Sequence, residues 1–544
     1  MNRSAIRFVL VIFVTLFTFI TALAFDGEVV WLDQINDANE YSYDSIQGYL
    51  TSSGELIISG SYENLEGIYY LDHIVVAKYN TDGTKVWQTE IRGDHSLEGD
   101  VYAVEDDDGA IFVAAGYNHM LSLTKLSASG SIIWTAEHEY FSVIAGIGIG
   151  PDGRVMVAGQ GRYPGTYYDY FAFGSFYPSD EDQGLIYWDA HYGGVEGGHV
   201  NAIGAGMDAE GNMYVGGTAT GLDQVQDFAM CAVNSSGLQI AGGEYTTGAE
   251  WSYTYDFVVA PDGRSYLCGE GMEYSSASSI LVCFDNSGGI SWTQSIGDGE
   301  GRYHGFDVEL TTSGVAFLTH HDVLDPYQSI YDITFYNPAG DFLREIETSG
   351  NWNQLDTGML CIDPSNNAYV VASEQADERS ITAAKYDVNG NEVWVAEFGP
   401  VREGYNLSYS TNWVGWHAGG LFGAGVTSSG YNFDDSFLSF KLHEIATDVE
   451  EQSLTATEYG IAAAYPNPFN PSLTIEIELA NPAVLQVEVY NALGQNVAQL
   501  HQGQLPAGSH SLEFDASGLT SGVYFIHATV PGKLDQFRKV VLMK

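Results

Sequence analysis

A turn glycine followed four residues later by tryptophan recurs through most of the chain. The six full copies are Gly27–Trp31, Gly83–Trp87, Gly130–Trp134, Gly184–Trp188, Gly288–Trp292 and Gly390–Trp394, and weaker copies without tryptophan centre on Gly237 and Gly340. The intervals between these glycines are 56, 47, 54, 53, 51, 52 and 50 residues. Self-similarity at a period near fifty residues is typical of propellers and solenoids, which are built from one repeated supersecondary unit.

A second series of polar turns lies between the tryptophan turns, and each is flanked by two apolar runs. These turns centre on Gly54, Gly109, Gly153, Gly211, Gly263, Gly314, Asn366 and Gly419. Each repeat therefore reads as strand, tight turn, strand, variable loop, strand, tight turn, strand, because turns of the Asp-Gly type supply the positive φ that tight hairpins need. Four antiparallel strands per repeat predict the blade of a β-propeller. A solenoid would carry two atypical capping repeats, and we find none in the sequence.

The two ends of the repeat series complement each other. Gly27 has no blade strands before it, and the last repeat, roughly residues 405–442, lacks a fourth strand. We therefore expect residues 29–35 to pair with residues 437–442, which closes the ring and removes two unpaired sheet edges. The predicted fold class is all-β, an eight-bladed β-propeller over residues 25–443, with seven blades as the alternative.

Two family resemblances follow from these residues, and both cover roughly residues 26–443. The glycine–tryptophan turn resembles the tryptophan-docking motif of eight-bladed quinoprotein dehydrogenases. Segments such as residues 72–83 are similar to the generic propeller repeats of exported bacterial proteins. Both resemblances imply the fold, with tryptophan packed between blades, and neither implies an activity. Residues 82–87 also resemble the Asp-box of sialidases, but their glycine is displaced by one position from that motif.

The charge of the chain excludes several partners. Its 544 residues include 19 Lys and Arg against 71 Asp and Glu, a formal net charge of −52. Binding nucleic acid through phosphate neutralisation requires clustered basic residues, and docking to an anionic membrane surface requires the same. The hydrophobic content of 45% is enough for a large core. We therefore expect a folded, highly acidic protein with no nucleic-acid partner.

The first 24 residues read as a Sec-type signal peptide. Arg3 and Arg7 precede a largely apolar run over residues 8–20, and Ala22 and Ala24 place small residues at the positions that a signal peptidase reads. A transmembrane anchor is the alternative, but the run is shorter than the roughly 20 residues that a span needs. We expect a mature chain that begins at Phe25, has no transmembrane span, and passes through the periplasm.

The C-terminal region differs in composition from the rest of the chain. Residues 444–458 are acidic and polar and read as a linker. Residues 459–544 contain four basic and six acidic residues, whereas residues 25–445 contain 13 basic and 61 acidic residues. Alternating strands such as residues 473–479 and 485–490 predict a small Ig-like β-sandwich.

This region resembles the type A C-terminal sorting domain of the type IX secretion system and the related Ig-like domain of flagellar-hook-capping proteins. The matching residues, in order, include Tyr465, Pro466, Asn467, Pro468, Phe469, Asn470, Pro471, Gly522, Tyr524 and Lys544. The resemblance implies contact with the secretion machinery, export across the outer membrane, and release or anchoring at the cell surface. A plain Ig-like accessory module is the alternative.

Chemistry-bearing residues give no complete catalytic set. The chain has no HExxH, GxSxG, Walker-type or EF-hand motif. The acidic cluster at residues 105–109 reads as a solvated hairpin tip rather than a calcium site, and residues 320–322 (His-His-Asp) read as a polar loop rather than a metal site. Four aspartates that begin third strands are expected to cap loop amides: Asp72, Asp169, Asp227 and Asp435. The sequence assigns no cofactor and leaves calcium open.

The four cysteines, Cys231, Cys268, Cys283 and Cys361, lie in apolar strand-like runs and form no CxxC pair. Zinc-binding and thioredoxin-like interpretations therefore fail, and buried free thiols are expected. A single disulfide between Cys268 and Cys283 stays open, because those residues fall on neighbouring strands.

A candidate ligand surface follows from the order of turns and loops. All the tight turns occupy one end of the ring, so the variable loops occupy the other, and these loops are rich in aromatic and histidine side chains. The candidate ligand-binding residues are Tyr163, Tyr167, Tyr168, Trp251, Tyr253, His304, His320 and Tyr327. Aromatic rings with nearby carboxylates suit sugars, peptides or cations. Two function classes remain open, a non-catalytic propeller that binds a glycan, peptide or protein, and an exported enzyme that is either quinoprotein-like or glycan-active.

Overall fold

The computed structural model describes most of the chain between residues 28 and 542. The described ranges are 28–35, 42–66, 69–92, 97, 99–117, 119–162, 168–192, 199–220, 226–273, 276–297, 303–324, 327–348, 355–374, 381–398, 408–417, 420–428, 436–443, 460–465, 469–479, 483–491, 495–505, 508–531 and 533–542. The predicted signal peptide and acidic linker lie outside these ranges. Two compact units form, residues 1–445 and residues 446–544, and every regular element described in them is a β-strand.

The described part of the first unit forms eight four-stranded antiparallel sheets, which we number as blades in chain order. The first described strand, β1 (Glu28–Ile35), belongs to blade 8. Blade 1 contains β2 (Ser42–Leu50), β3 (Leu56–Glu66), β4 (Tyr69–Tyr79) and β5 (Lys85–Arg92). Blade 2 contains β6 (Tyr102–Glu105), β7 (Ile111–Tyr117), β8 (Met120–Leu126) and β9 (Ile132–Glu139). Blade 3 contains β10 (Val143–Ile149), β11 (Val155–Arg162), β12 (Asp169–Phe176) and β13 (Ile186–Tyr192).

The next three blades repeat this order. Blade 4 contains β14 (His199–Met207), β15 (Met213–Thr220), β16 (Gln226–Val233) and β17 (Gln239–Tyr245). Blade 5 contains β18 (Trp251–Val259), β19 (Ser265–Met272), β20 (Ala277–Phe284) and β21 (Ile290–Ile296). Blade 6 contains β22 (Tyr303–Thr311), β23 (Gly314–Leu324), β24 (Tyr327–Tyr336) and β25 (Phe342–Glu347).

The last two blades complete the circle. Blade 7 contains β26 (Leu355–Ile362), β27 (Ala368–Glu374), β28 (Ile381–Tyr386) and β29 (Glu392–Phe398). Blade 8 contains β30 (Ser408–His417), β31 (Gly420–Ser428) and β32 (Ser436–His443), with β1 as its fourth strand. The first strand of each blade contacts the first strand of the next, and β2 also contacts β30. The unit is therefore a β-propeller whose first strands surround its axis.

The pairing of the chain's first strand with its last blade is the one expected from the sequence. β1 runs antiparallel to β32, from Glu28 opposite His443 to Ile35 opposite Phe437. β1 also docks on blade 1, because the Trp31 ring stacks on Tyr79 with centroids 5.2 Å apart and the Tyr79 hydroxyl donates to Asp33 over 2.8 Å. The strand therefore joins the two blades at which the ring closes.

In blades 1, 3 and 5 a tryptophan packs against the turn of the next blade, as the tryptophan-docking resemblance implies. The Trp87 indole donates to the carbonyl of Ala128 in the following blade over 3.0 Å, and Trp188 and Trp292 make the same bond to Ser235 and Pro338. The turn glycine beneath the ring adopts a φ that favours glycine, for example +81° at Gly130. Any side chain there would meet the indole.

We expect Gly130→Ala to destabilise the propeller more than Gly153→Ala does. The two glycines have nearly the same φ, +81° and +77°, so alanine costs about 1–2 kcal/mol of backbone strain at both. A Cβ at position 130 would lie 2.5 Å from the Trp87 ring, whereas one at position 153 meets nothing within 4 Å. The clash should add about 1–3 kcal/mol. Melting temperatures of the two variants measure this difference, and equal losses would show that a Cβ at position 130 does not clash with the indole.

The four cysteines are free thiols buried in the blades. On neighbouring strands, Cys268 pairs with Leu281 and Cys283 pairs with Tyr266, which places the two cysteines diagonally rather than opposite each other. Burial raises the pKa of Cys231 to about 12 and that of Cys283 to about 11, so both are protonated at neutral pH. The open question of a disulfide between Cys268 and Cys283 is thus answered by two free thiols.

The second unit forms two sheets around its own core. One sheet has the order β33 (Gly460–Tyr465), β34 (Ser472–Leu479) and β37 (Gly508–Asp515). The other has the order β36 (Asn496–Leu505), β35 (Ala483–Asn491), β38 (Gly522–Val530) and β39 (Leu534–Leu542). Buried residues from both sheets, such as Ile475 and Val487, share one hydrophobic cluster. Their alternation along β34 and β35 is the period-2 pattern that the sequence predicted.

The motif residues of this unit serve its packing where the structure describes them. Phe469 is buried against Phe514, its amide donates to the carbonyl of Val541 over 2.9 Å, and Asn470–Pro471 is a cis peptide. The buried Tyr524 donates its hydroxyl to the carbonyl of Thr520 over 2.7 Å. Tyr465 ends β33 and Gly522 begins β38. The motif residues Pro466, Asn467, Pro468 and Lys544 lie outside the described residues.

Candidate functional site

The propeller has two ends of different construction. The hairpins between the first and second strands, and between the third and fourth, lie at one end, which we call the turn face. The opposite end, the loop face, holds the connections between second and third strands and between blades. First strands therefore run from the loop face to the turn face, so Trp251 at the start of β18 and Tyr303 at the start of β22 both lie at the loop face.

The candidate ligand residues differ in how exposed they are and in whether the structure describes them. Tyr168, Trp251 and Tyr253 are exposed, at 53%, 44% and 44%. His304 on β22 is partly buried, and His320 on β23 is buried. Three predicted residues add nothing to the site's geometry: Tyr163 and Tyr167 lie outside the described residues, and Tyr327 is described only as the start of β24. The candidate surface therefore centres on blades 3 to 6.

A histidine–carboxylate pair joins blade 5 to blade 6. Glu270 on β19 is buried, and one of its oxygens accepts a 2.7 Å hydrogen bond from the Tyr255 hydroxyl. Its other oxygen pairs with Nδ1 of His304. The His304 ring stacks with His320, and their centroids are 6.0 Å apart. Burial, followed by the Glu270 contact, raises the pKa of Tyr255, so its hydroxyl keeps its proton at neutral pH.

A second pair of the same kind joins blade 3 to blade 4. Asp169 is buried and binds Arg162 through two nitrogens, at 2.6 and 3.0 Å, and Nδ1 of His199 at 3.0 Å. Burial alone would raise the pKa of Asp169, but the hydrogen bonds from Arg162 and His199 lower it overall. The exposed Tyr168 ring lies 6.0 Å from His199.

The described partners of Asp169 are a guanidinium and an imidazole. The loop before it, residues 163–167, lies outside the described residues, so its predicted cap of loop amides stays a prediction. Of the other three aspartates in that prediction, Asp435 lies outside the described residues and the side chain of Asp72 is not described. Asp227 lies in β16, and its cap remains a prediction.

The expectation that residues 320–322 form a polar loop is wrong. His320 and His321 are consecutive residues of strand β23, so their side chains point to opposite sides of the sheet and cannot bind one ion together. His320 packs 4.9 Å from Tyr331, while His321 stacks on Tyr303 and lies 3.1 Å from Asp332. Burial raises the pKa of Asp332 to about 6, with Glu345 and Glu347 adding to the effect and His321 opposing it.

The acidic cluster at residues 105–109 lies on the turn face, as expected of a hairpin tip. The Asp106 carboxylate accepts the amides of Asp108 and Ala110, at 3.0 and 2.8 Å, and Glu105 binds Lys78 over 2.6 Å. Both amide bonds end on the same oxygen of Asp106, as in hairpin turns of other blades. Among the described residues no group of three or more His, Cys, Asp or Glu is arranged to hold a metal ion.

Three carboxyl groups on first strands lie together near the propeller axis. Asp256 on β18 accepts the amide of Val308 over 3.1 Å, and Asp307 on β22 accepts the amide of Leu360 over 2.6 Å, so each carboxylate ties one blade to the next. Burial raises the pKa of Glu309 to about 8, and the charge of Asp256 adds to the shift. Burial and the neighbouring Asp256 also raise the pKa of Asp307 well above its usual range. Glu309 is therefore largely protonated at neutral pH.

We expect Glu309→Gln to stabilise the protein at pH 8 but not at pH 4. Folding raises the pKa of Glu309, so folding favours its protonated form. Its contribution to the stability of the folded state is fully present below the unfolded pKa of 4.5 and is lost as the pH rises through about 8. Glutamine cannot ionise, so the variant should gain about 1–3 kcal/mol at pH 8. Melting curves at both pH values, with the exposed Glu397→Gln as control, measure this. A variant as stable as the parent at pH 8 contradicts it.

Some site residues were missed by the sequence interpretation. Glu270, Tyr255 and Arg162 complete the two histidine–carboxylate pairs, yet no motif marks them. One signal was available, because Trp251, Tyr253 and Tyr255 alternate along a single strand and so share one side of it.

The fold is that of a β-propeller protein, and the C-terminal residues indicate where the protein is sent. Residues 463–543 match the family model of the secretion system C-terminal sorting domain. The match agrees with the resemblance to type IX sorting domains, and it means that the protein is exported, to the cell surface or beyond it. No described helix has the length and apolar character that a membrane crossing requires.

Solved structures similar to this chain are distant. Sqt1 from Chaetomium thermophilum is 9% identical, with 75% of this chain and 97% of that chain covered and a TM-score of 0.45. PorZ, a surface component of the type IX secretion system of Porphyromonas gingivalis, is 13% identical, with 92% and 70% covered and a TM-score of 0.33. A fungal alcohol oxidase of the AA5 family, in complex with copper, is 13% identical, with 92% and 100% covered and a TM-score of 0.37. No curated protein sequence matches the chain.

Proposed function

We propose that this protein is a non-catalytic binding module, delivered through the periplasm by a Sec signal peptide and moved outward by its C-terminal sorting domain. Its loop face would bind a ligand outside the cell, with the secretion machinery as the partner of the tail. The observation that carries this proposal is the exposed aromatic surface at the loop face of blades 3 to 5, formed by Tyr168, Trp251 and Tyr253. Exposed aromatic rings grouped at one end of a domain are typical of binding sites.

The charged groups around these rings support binding. The two carboxylates that pair with histidine, Asp169 and Glu270, are buried, so they orient imidazoles rather than meet a ligand directly. The net charge of −52 disfavours polyanionic ligands. Neutral glycans, cationic peptides and divalent cations remain as ligand classes.

A glycan-active enzyme is the second candidate function, because a buried carboxylate bound to Nδ1 of a histidine is also how a general base is oriented. Glu270 and His304 have this arrangement at the loop face. The two functions differ in whether the bound ligand is returned unchanged. Chromatography of a ligand after prolonged incubation with the protein distinguishes them, since an enzyme yields shortened or modified products.

The test of the binding function uses two sets of variants in the full-length mature chain. Glycan and peptide arrays identify a binding probe, and titration then compares Tyr168→Ala and Trp251→Ala with the turn-face changes Asp82→Asn, Asp152→Asn and Asp262→Asn. We expect the loop-face set to weaken binding about tenfold or more, since each removes an aromatic contact surface, and the turn-face set to leave it unchanged. Equal effects from both sets, or loss from the turn-face set alone, would contradict a loop-face site.

A further inference from the structure

Three aromatic side chains form a row along the first strand of blade 5. Trp251, Tyr253 and Tyr255 are exposed at 44%, 44% and 41%, while Ser252 and Thr254 between them are buried. Trp251 and Tyr253 are alternate residues of a regular stretch of strand, so they share one side and are about 6.6–6.8 Å apart, and Tyr255 is the next exposed ring inward. We call these three residues the aromatic row.

The inner end of the aromatic row is set by a β-bulge. The register between β18 and β19 shifts between Thr254 and Asp256, so Tyr255 is the extra residue of the bulge. Bulges turn a side chain away from its regular direction. The same shift occurs in blade 6, between Gly305 and Asp307, and its extra residue Phe306 lies 5.9 Å from Tyr255, ring to ring. Aromatic rings from two blades thus meet where the row ends.

Histidines from the two neighbouring blades flank the aromatic row. β18 contacts β14 on one side and β22 on the other. His199 begins β14 and is 51% exposed, and His304 is the second residue of β22. Each histidine is bound through Nδ1 to a buried carboxylate, which fixes the direction of its ring. The surface therefore combines apolar ring faces with fixed polar edges on both sides.

We propose that the aromatic row and its two flanking histidines bind an uncharged glycan chain at the loop-face mouth of blades 4 to 6. This assignment rests on the proposed binding function and names its ligand class. Sugar rings present apolar C–H faces that pack on aromatic rings and hydroxyls that need hydrogen-bond partners, and the surface supplies both. A chain of several sugars matches a row of successive rings better than a single sugar does.

The charges near the row suit a neutral sugar and disfavour a polyanion. The carboxylates that hold the flanking histidines, Asp169 and Glu270, are buried and already paired, so neither is available to a bound cation. The exposed carboxylates described at the outer end of the row are Glu250 and Glu273. A polyanion would approach a chain with a formal charge of −52. An uncharged chain does not meet this repulsion.

The experiment titrates the full-length mature protein with defined probes and follows binding by calorimetry. The probes are neutral hexasaccharides of glucose, xylose and mannose, a lysine-rich peptide, and calcium chloride. The variants are Trp251→Ala, Tyr253→Ala and the control Phe342→Ala, which removes an aromatic ring that is exposed on the outer strand β25. Melting curves show which variants remain folded.

We expect at least one neutral hexasaccharide to bind, about tenfold more weakly to Trp251→Ala and Tyr253→Ala than to the parent, and equally well to Phe342→Ala. Binding that survives both row substitutions would overturn the assignment of the row while leaving the binding function intact. Binding of the peptide or calcium alone would overturn the glycan class in the same way. Loss of hexasaccharide binding in Phe342→Ala as well would overturn the location. If the hexasaccharide is bound and cleaved, the ligand class stands and the non-catalytic function fails.

Discussion

Removal of residues 459–544 is expected to leave a folded propeller that accumulates in the periplasm. The two compact units have separate hydrophobic cores, so loss of the tail should not unfold the propeller. The sorting domain at residues 463–543 is the segment that addresses the protein outward, so its loss should abolish export rather than slow it. Immunoblots of periplasmic, surface and medium fractions measure the distribution, and the melting temperature of the retained protein shows that it is folded.

The matched control attaches residues 446–544 to an unrelated periplasmic protein, which should then leave the periplasm. A truncated propeller that still reaches the surface or medium would show that the tail is an accessory module. Failure of the fusion alone would show that export also needs the propeller. Only loss of export by truncation together with export of the fusion matches our account.

Deletion of residues 25–36, placed after an intact signal peptide, is expected to lower the melting temperature of the propeller by on the order of 10 °C or more. β1 is the fourth strand of blade 8 and also holds blade 1 through Trp31 and Asp33. Its loss removes a full strand ladder, exposes apolar side chains of two blades, and leaves β32 as an unpaired edge.

Trp31→Ala serves as the matched control for this deletion, because it removes the contact with blade 1 and keeps the pairing with β32. It should produce a smaller loss of stability, below the roughly 3–5 kcal/mol typical of fully buried aromatic truncations, because Trp31 is only partly buried. Calorimetric melting curves of both variants separate the two contributions. An unchanged melting temperature after the deletion would contradict closure of the ring by β1.

Much of the propeller was predictable because glycines that its turns require recur once in each repeat. Gly83 and Gly130 mark turns whose positive φ and close approach to an indole both require glycine, so the period of these glycines is the period of the blades. The pairing of β1 with β32 was also predictable, since a missing strand at one end and an extra strand at the other can complete one sheet. These features depend on local turn sequences and on the number of strands in each repeat, and both can be read from the sequence.

The details of the loop face depend on geometry that the sequence does not express. Glu270 and His304 are 34 residues apart in the sequence and lie on different blades, and they come into contact only because the two blades are neighbours in the propeller. His320 and His321 were expected in a loop because polar residues at a strand end resemble a loop start, but β23 extends through them to Leu324. The strand is longer here because β24 pairs with it residue by residue up to Tyr327.

The most direct test of a loop-face ligand site is hydrogen exchange of the full-length mature protein with and without a neutral hexasaccharide that binds it. Our account predicts slower exchange in the loop-face halves of β18 and β22, around Trp251 and His304, and unchanged exchange in the turn-face hairpins at Gly83 and Gly263. Protection confined to the turn-face hairpins, or spread evenly over the eight sheets, would contradict a ligand site at the mouth of blades 4 to 6.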